Sequence, residues 1–178
     1  MGIFYVKVHK KISRRESKLS KLNEQIKHYK ILISACLLGE RVRYDGKTNR
    51  LDNKLLDKWL AEGCLLSICP EVCGGLAIPR PAAEIQQGGT IKTQAGTDVS
   101  TAFQKGAEHA LAAALKFNIK IAILTEKSPS CGSAQIYNGQ FERRLIAGQG
   151  LTTQLLRANG IQVFNQFQLH KVEALLNY

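Results

Sequence analysis

ILISACLLG, at residues 31–39, begins with a continuous apolar stretch that runs directly into a cysteine and a turn. Two other stretches have the same form: LLSIC at 65–69 ends in a cysteine, and KIAILT at 120–125 precedes the loop EKSPSCG. A fourth strand is predicted at 161–164, IQVF. Strands that are apolar throughout are typical of a parallel sheet with both faces buried, because alternation disappears when neither face meets water.

Helical patterns separate these strands. Apolar side chains recur at helical spacing over 52–62 and 98–117, with Asp52 or Asn53 suited to cap the first helix and Ser100 the second. Shorter helices are predicted at 150–159 and from Gln168. The Gly- and Pro-rich stretch after LLSIC is predicted to be mostly loop. This order predicts the α/β class: a single three-layer domain with an open, mostly parallel, Rossmann-like sheet.

Composition excludes several classes of protein. With 178 residues, 44% hydrophobic and 22% charged, the chain is an ordinary globular protein rather than a disordered one. No apolar run approaches the roughly 18 to 20 residues that cross a bilayer, and no secretory signal is recognisable, so a cytoplasmic protein without a membrane partner is expected. Neither G-x-G-x-x-G after the first strand nor G-x-x-x-x-G-K-[ST] occurs, which argues against a nucleotide cofactor.

The net charge of +11 is concentrated at the amino terminus. Residues 1–30 contain nine Lys or Arg and two acids, whereas residues 31–178 contain sixteen and twelve. The predicted organisation is therefore a basic N-terminal extension, 1–29, followed by the α/β domain, 30–178. Such an extension is either a solvated tail or a contact surface for nucleic acid, and a weak contact with tRNA is left open.

Three cysteines occupy equivalent places in the predicted fold. Cys36 follows the first strand, Cys69 ends the second, and Cys131 lies six residues beyond the third. Because ligands of open parallel sheets bind at the carboxyl ends of the strands, these thiols are expected to share one edge. Each alone is explained as a small buried residue, but three at the same edge indicate a metal-binding function.

The choice of metal rests on spacing. Zinc usually takes four ligands from C-x(2–4)-C pairs, and here Cys69 and Cys73 form one such pair without a second. An iron–sulfur cluster ordinarily takes four thiolates, and with three it keeps one iron open to act as a Lewis acid. Cys73 is a possible fourth ligand that would close this position, and Cys64 is surplus to the pattern.

Several spaced motifs together resemble the thiouracil desulfidase family, once catalogued as a domain of unknown function. They are SACLLG (34–39), VRYDG (42–46), CPEVCGGLAIPRPAAEI (69–85), GTDVSTAFQKGA (96–107) and SPSCG (128–132). The resemblance spans about residues 31–165. It implies a 4Fe–4S cluster held by Cys36, Cys69 and Cys131, and an enzyme that converts 4-thiouracil to uracil and sulfide. The family's acid/base carboxylate falls on Glu71 and its hydroxyl on Ser128.

Further pocket candidates lie beside these residues. Asp45 belongs to the VRYDG motif, and Ser130 offers a second hydroxyl next to Cys131. Gly74, Gly75 and Gly132 are expected to let backbone approach the cluster and to donate N–H groups to it. Arg80 is expected either to pair with Glu84 or to frame the pocket.

Two functional hypotheses follow. The first is a hydrolytic enzyme acting on a small thiolated nucleobase. The alternative is a non-catalytic redox sensor or nucleic-acid-binding protein, in which a four-ligand cluster only holds the loops together.

Overall fold

A computed structural model describes residues 29–176 of the chain, so the predicted N-terminal extension, 1–29, lies outside the described residues except for its last residue. Within these residues the eight strands are β1 Ile31–Ser34, β2 Leu65–Ile68, β3 Ala83–Ile85, β4 Ile91–Thr93, β5 Ile121–Leu124, β6 Gln135–Tyr137, β7 Leu145–Ala147 and β8 Gln162–Asn165. The five helices in the same part of the chain are α1 Lys54–Ala61, α2 Pro70–Cys73, α3 Ser100–Lys116, α4 Leu151–Ala158 and α5 Leu169–Leu176. A 3₁₀ turn, Ala35–Leu38, follows β1 directly.

Four strands form the central sheet, in the order β2–β1–β5–β8 with every pair parallel. Ile31 of β1 lies opposite Leu65 of β2 and Ile121 of β5. Both β1 and β5 are buried along their whole length, which explains why their sequences are apolar except for Ser34 at the end of β1. The predicted open parallel sheet is confirmed.

Helices cover both faces of this sheet and complete the three layers. On one face, Leu56 and Trp59 of α1 and Val172 of α5 pack against the side chains of Ile31 and Ile33. On the other, helices α3 and α4 pack against alternate residues of the same strands. The buried residues on this second face include Leu32, Ala110, Ala114, Ala122, Leu156 and Val163. None of the helices within 29–176 has both the length and the apolar character needed to span a membrane.

Two antiparallel hairpins, β3–β4 and β6–β7, were not predicted. The stretch from Pro70 also begins with the short helix α2 rather than with loop, since a proline at the first helical position has no N–H to leave unpaired. Of the capping predictions, Asn53 is correct: its side chain accepts a hydrogen bond from the Leu55 N–H. Ser100 is instead the first residue of α3, and its own N–H donates to Asp98.

Candidate active site

A cavity of about 880 Å³ opens at the carboxyl edge of the sheet. Strand order reverses between β1 and β5, since β2 lies on one side of this pair and β8 on the other. Such a switch point is the usual ligand crevice of open α/β sheets, and the volume is within the roughly 300 to 1,000 Å³ of small-molecule sites. Cys36, Cys69 and Cys131 all line this cavity.

Each cysteine enters the cavity from a different strand. Cys36 lies in the 3₁₀ turn after β1, and Cys131 lies in the loop after β5; both are buried. Cys69 is the residue before helix α2, half-buried, with its Sγ 3.7 Å from the carbonyl oxygen of Val42. All five cysteines of the chain are free thiols.

Burial disfavours the charged form of these thiols. It raises the pKa of Cys36 to about 11, with the nearby Cys69 adding to the effect and hydrogen bonding from Thr125 opposing it. Burial also raises the pKa values of Cys69 and Cys131, and the field of Glu71 raises both further. The thiols therefore influence one another electrostatically, in keeping with their shared place in the lining of the cavity.

Glu71 is held in this cavity by two side chains. Arg80 donates to Glu71 Oε2 from Nε at 2.9 Å, with its Nη2 2.8 Å from the same oxygen, and the Ser128 hydroxyl donates to Oε1 at 3.1 Å. Arg80 is itself fixed by the carbonyl oxygens of Ala77 and Val42, and its side chain is only 6% exposed. The carboxylate that pairs with Arg80 is thus that of Glu71 and not that of Glu84.

Ser128 joins Glu71 to the third cysteine. While its hydroxyl proton points to Glu71, its Oγ accepts the N–H groups of Ser130 and Cys131 at 3.0 and 3.2 Å. The hydroxyl therefore closes the turn that leads into Cys131 and fixes one oxygen of the carboxylate.

The loop bearing Cys131 is anchored by Glu126, a residue that the sequence analysis did not single out. Its Oε1 accepts three successive backbone N–H groups, from Ser133, Ala134 and Gln135, at 2.8 to 3.0 Å. Its Oε2 accepts from the Ser133 hydroxyl and from Asn165. Desolvation raises the pKa of Glu126, but these hydrogen bonds outweigh it and lower the pKa to about 2.

The two hairpins contribute part of the cavity wall. Glu84 of β3 is buried, and its Oε2 accepts the N–H groups of Gly139 and Phe141 at 2.9 and 3.1 Å. This contact holds the loop after β6 at the cavity, where Phe141 and Arg143 join the lining. Neither residue was predicted from sequence, because their approach depends on the packing of one hairpin on the other.

The remaining pocket candidates lie outside the lining of the cavity. Asp45 pairs with Arg43, and the Ser130 hydroxyl is hydrogen-bonded to Thr152 at 2.8 Å in the protein interior. The N–H groups of the three predicted glycines donate to backbone carbonyls instead of pointing into open space. These pairs are Gly74 to Pro70, Gly75 to Val72 and Gly132 to Ser128.

The two surplus cysteines are also elsewhere. Cys73 ends helix α2, is exposed, and is not among the cavity-lining residues. Cys64 is buried directly before β2, at the amino edge of the sheet, with its Sγ 3.7 Å from a carboxylate oxygen of Glu62.

Comparison with known proteins gives three matches. A model of the 2-thiouracil desulfurase family matches residues 31–168. The uncharacterised protein YbbK of Bacillus subtilis (strain 168) is 38% identical over 151 residues, covering 80% of this chain and 99% of YbbK. The solved structure of TudS, a [4Fe-4S]-dependent thiouracil desulfidase, is similar with a TM-score of 0.82 and 51% identity, covering 84% of this chain and 98% of TudS.

Proposed function

The chain belongs to the 2-thiouracil desulfurase family, and from that membership we propose that it removes sulfur hydrolytically from a thiolated pyrimidine, 4-thiouracil, with a 4Fe–4S cluster as cofactor. The observation that carries the proposal is the presence of three cysteines and Glu71 in the lining of one cavity at the switch point of the sheet. The 51% identity to TudS, whose name states a 4Fe–4S dependence, supports the same cofactor.

The donor set fits a cluster. The three cysteines are free thiols that follow three different strands and line one cavity: Cys36, Cys69 and Cys131. Metal binding would replace the protons that burial keeps on their sulfur atoms. Within residues 29–176, no group of three Cys, His, Asp or Glu side chains is arranged to hold a single metal ion. A 4Fe–4S cluster is favoured over zinc by the similarity to TudS and by the lack of a second C-x(2–4)-C pair in the sequence.

When bound through three cysteines, the cluster supplies a thiophilic iron with a free position for the sulfur of the substrate. Cys73 supports the three-ligand arrangement because it is exposed outside the cavity. The same position counts against the redox-sensor hypothesis, which requires a fourth protein ligand.

Glu71 is proposed as the general base and acid. Its Oε1 takes a proton from the water that attacks the thiolated carbon, and the same oxygen returns it to the ring or to the departing sulfur. One water is consumed and one hydrogen sulfide is released, so that C=S becomes C=O with no change of oxidation state. Arg80 keeps a positive charge against Oε2. This leaves Oε1, which accepts from the Ser128 hydroxyl, as the carboxylate oxygen that faces the substrate.

The test begins with anaerobic purification of the full chain and counts of iron and acid-labile sulfide. The protein is then incubated with 4-thiouracil and, in parallel, 2-thiouracil, while near-ultraviolet absorbance and released sulfide are followed. About four irons per chain and sulfide from the 4-isomer are expected. Sulfide from 2-thiouracil alone would contradict the position of the sulfur, and zinc in place of iron would contradict the cofactor.

Two matched variants separate catalysis from cluster binding. Glu71→Gln should keep the iron content and lose at least about 100-fold in rate, the usual contribution of general acid–base catalysis. Glu108→Gln, an exposed residue of helix α3 hydrogen-bonded to Gln104, should match the wild type. A Glu71→Gln protein with full activity would contradict the role of Glu71 as general base and acid, whereas a wild-type protein that holds the cluster without turnover would favour the sensor hypothesis.

A further inference from the structure

Two hydroxyl groups lie between the central strands at the switch point and have no role in the proposed reaction. Ser34 is the last residue of β1, and Thr125 is the residue immediately after β5. Both line the cavity. Each lies beside the cysteine that follows the other strand, since the Thr125 side chain acts on the Cys36 thiol and the Ser34 side chain on the Cys131 thiol.

The other contact of Thr125 leaves its hydroxyl proton available for a sulfur acceptor. Its Oγ1 accepts a hydrogen bond from the side-chain amide of Asn49 at 2.9 Å. The backbone N–H of Asn49 in turn donates to the carbonyl oxygen of Cys36 at 3.0 Å, so the amide is fixed to the same turn as the cysteine. Because a hydroxyl has one proton and its oxygen is already an acceptor here, the proton is available for the sulfur of Cys36.

Ser34 repeats this arrangement on the other strand. Its Oγ accepts the backbone N–H of Thr125 at 3.0 Å, and the serine is 2% exposed. Its single proton is therefore free for the sulfur of Cys131. A metal-bound thiolate carries no proton, so in each pair only the hydroxyl can donate.

We propose that Ser34 and Thr125 are positioning residues that donate O–H···S hydrogen bonds to the cluster ligands Cys131 and Cys36 and raise the reduction potential of the cluster. The inference rests on the proposed function, since it assumes that these cysteines hold a cluster. The physical reason is that one added electron makes the cluster and its thiolates more negative, and donors to the sulfurs stabilise that state. The same donors orient the ligands and strengthen binding of the metal.

The experiment uses the full chain, loaded anaerobically, in five forms. Thr125→Val keeps the shape and removes the hydroxyl, Thr125→Ser restores it, and Ser34→Ala removes the second donor. Ser67→Ala is the matched control, because Ser67 lies on the neighbouring strand β2 with an exposed hydroxyl bonded to Glu40. The midpoint potential is measured by one-electron titration with dithionite, following the electron paramagnetic resonance of the reduced cluster. Cluster retention is measured as the chelator concentration that removes half of the iron.

Thr125→Val and Ser34→Ala should each shift the midpoint to a more negative potential and lower the half-removal concentration of chelator about tenfold. Thr125→Ser and Ser67→Ala should match the wild type in both measurements. If the wild type holds four irons and the midpoints of Thr125→Val and Ser34→Ala are unchanged, the inference is wrong while the proposed function stands. If the wild type holds no cluster, both are wrong. Should Ser34→Ala not fold, the comparison of valine with serine at Thr125 decides alone.

Discussion

Replacing Gly106 by alanine is expected to displace the short helix that carries Glu71 and thereby to impair the site from a distance. Gly106 lies in α3, where the chain crosses closely over α2. A methyl group on Gly106 would lie 2.0 Å from the carbonyl oxygen of Pro70, the first residue of α2. The contact is reciprocal, because a methyl group on Gly74 would lie 2.0 Å from the carbonyl oxygen of Ala102 in α3. Two backbones thus approach each other through paired glycines.

The size of the effect follows from that distance. Since a real Cβ essentially never comes within 3.0 Å of such an atom, α2 must retreat by about 1 Å. Overpacking of this kind costs about 1 to 3 kcal/mol, partly offset by the gain of about 1 kcal/mol for alanine over glycine in a helix. The net loss is therefore up to about 2 kcal/mol, which lowers the melting temperature by up to about 8 °C at this chain length. A 1 Å misplacement of a catalytic group costs about 100-fold in rate.

The prediction is tested by thermal melts of the metal-free protein, by iron counts and by the initial rate of sulfide release. Ala112→Ser is the matched control, since it adds one heavy atom to an exposed position of the same helix. Gly106→Ala should melt lower, hold less iron and react more slowly than this control. A Gly106→Ala protein with the iron content, rate and melting temperature of the control would refute the argument that α2 is placed by this contact.

Four further predictions concern separate parts of the chain. Arg80→Met should keep the iron content and lower the rate of sulfide release about 100-fold, because Glu71 loses the partner that orients it; an unchanged rate would contradict this. Glu126→Gln should cost about 1 to 2 kcal/mol at neutral pH, a value discounted for the partial exposure of the carboxylate. Its folded pKa of about 2 is below the ordinary 4.5, so its contribution is complete above 4.5 and disappears as pH falls toward 2; urea midpoints across that range should converge for wild type and variant. Cys73→Ser should retain about four irons per chain, and loss of iron would identify Cys73 as a ligand. Deletion of residues 1–29 should remove any tRNA binding that weakens between about 50 and 200 mM salt, measured by filter retention.

The sheet was predictable because its two central strands have a plain pattern of burial. β1 and β5 are buried on both faces, so every residue except Ser34 is apolar and each strand stands out from the surrounding polar sequence. The strands of the two hairpins have only three residues each, too few for alternation to be recognised. Their position depends on tertiary contacts such as that of Glu84 with the Gly139 N–H, which no local pattern encodes.

The site, like the fold, has some features that the sequence predicts and others that it does not. The convergence of the three cysteines follows from topology, because every parallel strand ends at the same edge. The partner of Arg80 does not follow from topology, since Glu71 and Glu84 are both near it in sequence and only the path of the chain decides between them. Glu126 could not be identified from sequence because its carboxylate accepts mainly from backbone N–H groups, which leave no trace in side-chain composition.

The cavity is built from three loops that are anchored independently. The turn after β1 is tied by Asn49, the helix after β2 is placed by packing on Gly106, and the loop after β5 is tied by Glu126. These anchors share no side chain, so their effects on the free energy of unfolding are expected to add. Cluster binding, in contrast, needs all three cysteines at once. Loss of one anchor should therefore reduce iron retention far more than it reduces the stability of the fold.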